Sequence, residues 1–191
     1  MEVKKIVTKA DSEKKRRRNQ IIIGGILIFV MFFSVLGYTF GDNSNGNAKK
    51  IVYNGYEFVY ENGFWKASIG NFVFFFTYNP EEVWKSDANL NLLNKYSGKP
   101  LYISSDSIDA ESELYRNIDQ IILRRQYACL QGENCTDSGL PVKTCEDNFI
   151  IIKESNVSSI RQDNNCVFIE SPFENLTATT DEFLFKIIGI E

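Results

Sequence analysis

Twenty consecutive uncharged positions, IIIGGILIFVMFFSVLGYTF at 21–40, divide the chain into unequal parts. A helix of that length spans about 30 Å at about 1.5 Å per residue, the thickness of a bilayer's hydrocarbon core. A buried helix of a soluble domain keeps a polar stripe, and this run has none. The pattern predicts a basic tail at 1–20, a transmembrane helix at 21–40, a polar linker at 41–50 and a folded domain over 51–191. A cleaved signal peptide is the competing reading. Its apolar region is usually about 7–15 residues with an A-x-A-like site, whereas this run leaves through Leu36-Gly37-Tyr38-Thr39-Phe40. Under either reading the C-terminal part is exported.

Beyond the linker the pattern changes to short alternating stretches. Ile51 to Tyr78 reads as a three-stranded antiparallel β-meander, with tight turns at Asn62-Gly63 and Gly70-Asn71. Phe72, Phe74, Phe75 and Phe76 suit core packing against helices better than a stacking platform, since no basic residues interleave them. Asn79-Pro80-Glu81-Glu82 carries the chemistry of a helix start, predicting a short helix that fades around Lys85 to Ala88. Leu101 to Ser104 is strand-like.

The acidic cluster Ser105 to Glu113 lacks the spacing and glycine of an EF-hand calcium loop, and reads as the cap and first turn of a helix. Leu114, Ile118, Ile121, Ile122 and Ala128 form that long helix's apolar face, Arg124 and Arg125 point away, and Gly132 ends it. Phe149 to Glu154 begins a β-hairpin centred between Ser155 and Asn156. A C-terminal helix follows, capped by Thr179 with Glu182 reaching back, burying Phe183, Leu184, Ile187 and Ile188, and stopped by Gly189. The fold class is α+β.

Charge sharpens the partition. Residues 1–20 hold eight basic and three acidic side chains, and the part after the apolar run holds 13 and 22, within a net charge of −4. Basic residues beside the apolar run place the N-terminus in the cytoplasm and the rest outside, a type II single-pass topology in the cell membrane. The lipid bilayer is the partner this implies, with anionic headgroups against the tail. The short basic patch abutting a membrane argues against nucleic acid. Gly37 and Gly41 form one G-x-x-x-G, a weak signal for a homo-oligomer through the helix.

The chain has no histidine, which removes Ser-His-Asp and Cys-His catalysis and any imidazole zinc site. No catalytic, cofactor-binding or metal-ligating set emerges. Cys129, Cys135, Cys145 and Cys166 all follow the apolar run and lack zinc-knuckle spacing, so an exported chain forms two disulfides from them. Four cysteines allow three connectivities. The expected hairpin would set Cys145 opposite Cys166, within disulfide reach, leaving Cys129 to pair with Cys135. Asn134, Asn156 and Asn175 head N-x-S/T sequons, all exported and all permissive for glycosylation.

The stretches FTYNPEEV (76–83), GKPLYI (98–103), ACLQGENC (128–135), LPVKTCEDN (140–148), CVFIE (166–170) and DEFLFKIIGI (181–190) together resemble a group of small single-pass archaeal membrane-anchored envelope proteins of unknown function. The resemblance implies an archaeal surface protein with paired cysteines and supplies no activity.

The expected function is a membrane-anchored extracytoplasmic binding or structural module: an envelope component, or an accessory subunit of a membrane complex with a protein partner. An extracytoplasmic carboxylate-based hydrolase is the alternative. A thiol-disulfide oxidoreductase using Cys129 and Cys135 is a further one, weakened by the absence of C-x-x-C.

Overall fold

The computed structural model describes residues 9–40, 49–133, 135 and 139–190, and the side chains of the first helix from 16 to 32. The chain divides into two compact units, Met1–Asn47 and Ala48–Glu191. The first unit contains α1 (Lys9–Phe40). This helix starts well before the apolar run, since the Lys, Glu and Arg residues ahead of it are good helix formers. Every large hydrophobic side chain described from Ile21 to Phe32 is exposed, Ile21 at 74% and Phe32 at 67%. Among the described residues no helix is long and apolar enough to cross a membrane. The side chains of 33–40 and the linker residues 41–48 lie outside the described residues.

In the second unit, β1 (Lys50–Tyr53), β2 (Tyr56–Glu61), β3 (Phe64–Ile69) and β4 (Phe72–Phe76) form an antiparallel meander in chain order. It has four strands where three were expected. Asn54-Gly55 splits the first stretch, with φ of 46° and 86°, the left-handed pair that a two-residue hairpin turn requires. Asn62-Gly63 repeats that geometry at 51° and 87°. Phe58, Trp65, Ala67, Phe74 and Phe76 are buried, as alternation along half-buried strands requires.

The next segment contributes β5 (Pro100–Ser105), α2 (Ile108–Ile118), β6 (Arg124–Tyr127), the short β7 (Cys129–Leu130) and β8 (Val142–Lys143), then β9 (Phe149–Glu154), β10 (Ser159–Asp163), β11 (Cys166–Ser171) and α3 (Leu176–Ile188). A mixed sheet runs β10-β11-β9-β5-β6, with β11, β9, β5 and β6 parallel and β10 antiparallel at the edge. The helices pack on each other between the two sheets. Phe185 of α3 meets Phe58 and Phe76 of the meander at 5.9 and 4.5 Å, while Ile150, Ile152, Val167 and Ile169 of the mixed sheet enter the same core. The sheet's other face, with Tyr102, Phe149, Ile151 and Phe168, is covered by Ala128, Leu130 and Cys145.

Four expectations need correction. The hairpin centred between Ser155 and Asn156 does not form: β9 and β11 are parallel neighbours, Cys166 beside Phe149, and the hairpin joins β10 to β11 through Asn164-Asn165. Both β9 and β11 bury four consecutive apolar residues, so each needs cover on two faces, whereas the half-exposed β10 suits an edge. The long amphipathic helix ends at Ile118, because Arg124–Tyr127 pair with β5 and Ala128 passes under the opposite face. Gly132 accordingly sits in a turn, at φ 92°.

The helix expected from Asn79 stops after one turn. Asn79 Oδ1 accepts the Glu81 N–H at 2.8 Å and Glu82 Oε2 accepts the Asn79 N–H at 3.0 Å, as in a capping box, but the Ser86 backbone is taken by α3. Finally, α3 begins at Leu176, so Thr179 and Thr180 are interior residues whose hydroxyls donate to the carbonyls of Asn175 and Leu176 at 3.0 and 2.8 Å.

Candidate functional site

Two helix starts converge where the parallel strands end. After β5 the chain passes Asp106, whose carboxylate accepts the Glu154 N–H at 3.1 Å and so ties the ends of β5 and β9 together. Ser107 then caps α2 through the Ala110 N–H at 3.3 Å, with Asp109 and Glu111 in the first turn, as the acidic cluster requires. After β11 the chain turns through Phe173–Asn175 into α3. Between these starts lies an open cleft of about 380 Å³, whose lining includes Asp109, Ser112, Glu113, Arg116, Phe173, Glu174 and Thr177. A second cavity of about 510 Å³ is lined by Lys49, Tyr60, Trp65, Thr77, Tyr78 and Glu82. The two share Thr77 and Tyr78, and so adjoin.

The shared residues are held by side chains that seal the free edge of the meander. Glu113 and Asn117 on α2, and Gln120 in the turn just after it, meet the backbone of β4 and its extension in reverse order. Glu113 Oε1 accepts the Thr77 N–H at 3.1 Å and Oε2 accepts the Thr77 hydroxyl at 2.5 Å. Asn117 accepts the Phe75 N–H and donates to the Phe75 carbonyl, both at 2.8 Å, and Gln120 donates to the Val73 carbonyl at 3.0 Å. On α3, Asp181 Oδ2 accepts the Tyr78 N–H at 2.8 Å. Glu182 Oε1 accepts the Ser86 N–H at 2.9 Å, and Lys186 Nζ donates to the Ser86 carbonyl at 2.8 Å. An edge strand's unpaired amides and carbonyls thus find partners without another strand.

This seal brings two buried acids together. Glu113 also accepts the Arg116 guanidinium at 2.6 Å, and Arg116 lies over the Phe64 ring at 4.0 Å. Asp181 is fully buried, and as a carboxylate its Oδ1 has no partner. Burial foremost, then the charge and side chain of neighbouring Glu113, hold the Asp181 carboxyl well above the usual carboxylate range, against the Tyr78 N–H and Arg116. Protonation gives the enclosed carboxyl a hydrogen to donate, beside the Glu113 carboxylate. On the far side of α2 the Tyr127 hydroxyl donates to Glu111, a bond that raises the tyrosine's pKa and pins edge strand β6 to the helix.

The residues singled out in the sequence lie elsewhere. Cys129 pairs with Cys135 and Cys145 with Cys166, at Cα separations of 6.0 and 4.9 Å, and none of them lines the cleft. The second pair ties the start of β11 to the loop that leads into its parallel neighbour β9, where the Asn165 N–H also donates to the Cys145 carbonyl at 3.0 Å. Asn156 and Asn175 are exposed, and Asn134 lies outside the described residues. Glu113, Asn117, Asp181 and Glu182 were missed as site residues. Their signal was a set of polar side chains interrupting apolar helix faces, next to Leu114, Ile118 and Phe183.

No known protein family, curated protein or solved structure gives a significant match to this chain.

Proposed function

We propose that the protein is a single-pass, membrane-anchored binding module whose C-terminal domain works outside the cell, as an envelope component or as an accessory subunit of a membrane complex. The observation that carries this reading is the exposed apolar stretch of α1 from Ile21 to Phe32, with exposed Arg16, Arg17 and Arg18 ahead of it across Asn19 and Gln20. An apolar surface of that kind needs an apolar surrounding, and the run continues uncharged to Phe40. Two disulfides in the second unit suit an oxidising compartment. Binding is favoured over hydrolysis because both oxygens of Glu113 are engaged by Thr77, one of them also by Arg116, and Asp181 is enclosed.

Alkaline carbonate extraction and protease treatment of intact cells test the reading. The chain should stay in the membrane pellet, lose residues beyond the linker to external protease, and keep a protected N-terminal fragment. Release into the supernatant, or an N-terminus cut from outside, would overturn it.

A further inference from the structure

We propose that the two adjoining cavities form one groove for a linear, uncharged oligosaccharide, its sugar faces lying against Phe173 in one cavity and Tyr60 in the other. The proposal deepens the binding reading above and rests on it for where the ligand is met.

The groove's position is the first argument. Across the parallel strands the order is β6-β5-β9-β11, so the chain leaves β5 in one direction and returns on its other side. Ligands of open parallel sheets sit outside the carboxyl ends of the strands near such a reversal. Ser107 and Asp109 follow β5, and Phe173 and Glu174 follow β11, so the cleft occupies this position.

The free chemistry is the second. Thr77, Glu113 and Arg116 are committed to one another. Among the described residues, no hydrogen bond or ion pair engages the side chains of Asp109, Ser112, Glu174 and Thr177, which leaves carboxylate and hydroxyl oxygens facing the cleft. Carboxylates accept and hydroxyls both donate and accept, which matches the hydroxyl-lined rim of a sugar ring. The exposed aromatic rings, Phe173 at 53% and Tyr60 at 43%, supply flat apolar faces for the opposite side of such a ring. Tyr60 is propped edge-on against Trp65, at 5.2 Å between ring centres.

Two other ligand classes fit less well. An extended peptide would bind by adding a strand, yet along β4 and the two residues after it Glu113, Asn117, Gln120 and Asp181 already engage the backbone of Val73, Phe75, Thr77 and Tyr78. A polyanion would meet four carboxylates against two cations along the lining.

Trp65 and Trp84 are the only tryptophans, so a Trp84→Phe chain reports on the groove through Trp65 fluorescence. This full-length chain, in nanodiscs, is titrated with cellohexaose, chitohexaose, hexagalacturonate and an unstructured neutral hexapeptide. A neutral hexasaccharide should give a saturable change, and Phe173→Ala and Tyr60→Ala should each weaken it roughly tenfold with circular dichroism unchanged. Both rings are exposed, so neither variant removes core packing. The proposal fails if no neutral hexasaccharide binds at millimolar concentration. It also fails if binding survives both substitutions, or if hexagalacturonate or the peptide binds more tightly. Such failure leaves the anchoring reading intact, because carbonate extraction decides that independently.

Discussion

The two larger sheets of the second unit are secured by different physics. The meander exposes one face, pairs each strand with its neighbour in sequence, and closes its free edge with buried polar side chains from two helices. The mixed sheet buries both faces of β9 and β11, joins its parallel strands from segments distant in sequence, and is clamped by a disulfide from the start of β11 to the loop that leads into β9. The first arrangement depends on protonation and on exact hydrogen-bond partners. The second depends on apolar burial and on redox state. Each should therefore fail under a different insult.

Removing the seal should have the largest effect. Asn117→Ala strands the Phe75 N–H and carbonyl, and the loss of three hydrogen bonds in a buried position should cost about 3 kcal/mol in chemical denaturation. Asn117→Asp keeps the acceptor and loses the donor, and should fall between. Replacing Cys145 and Cys166 together should cost a similar amount, about 3 kcal/mol, because their bond closes a loop with a sequence separation of 21. The Cys129–Cys135 bond, with a separation of 6, should contribute about 2 kcal/mol. If the short loop proved the more stabilising, the role given to the Cys145–Cys166 clamp would be wrong.

A smaller effect concerns pH. The folded carboxyl of Asp181 is raised above its unfolded value, so the folded state binds the extra proton. Stability is then fully present below the ordinary carboxyl range and declines as pH rises toward the raised value. Asp181→Asn can still accept from Tyr78 through its oxygen and donate to Glu113 through its amide, so it should flatten that decline in melting curves taken from acidic to neutral pH. A variant with an unchanged slope would remove Asp181 as its source. Least of all should follow from Lys50→Ala, which breaks an exposed pair with Glu57 at 3.2 Å and should change stability by less than about 0.5 kcal/mol.

The same contrast explains what was readable in the chain. Asn62-Gly63 encodes its turn locally, and so does Asn54-Gly55, whose omission alone hid a fourth strand. Parallel pairing has no such local sign. FIIIKE and CVFIES are apolar on both faces, so neither periodicity nor a nearby turn shows that they lie side by side. The Cys145–Cys166 pair was expected from an antiparallel register and is made instead from the loop that leads into β9, since the parallel register sets Phe149 beside Cys166 and brings that loop close. Charges misled more than apolar residues did. Glu182 was assigned to a helix cap, but it reaches the Ser86 amide, 96 residues away in sequence, a contact that no local propensity encodes.

Amide hydrogen exchange, read as protection factors at Phe75, Thr77 and Tyr78 and at Ile150 and Ile152, tests the contrast most directly. Raising pH across the acidic-to-neutral range should lower protection in the first group and leave the second unchanged. Reduction of the disulfides should do the reverse. Equal loss of protection in both groups under either treatment would contradict the account, because the two sheets would then share one mode of support.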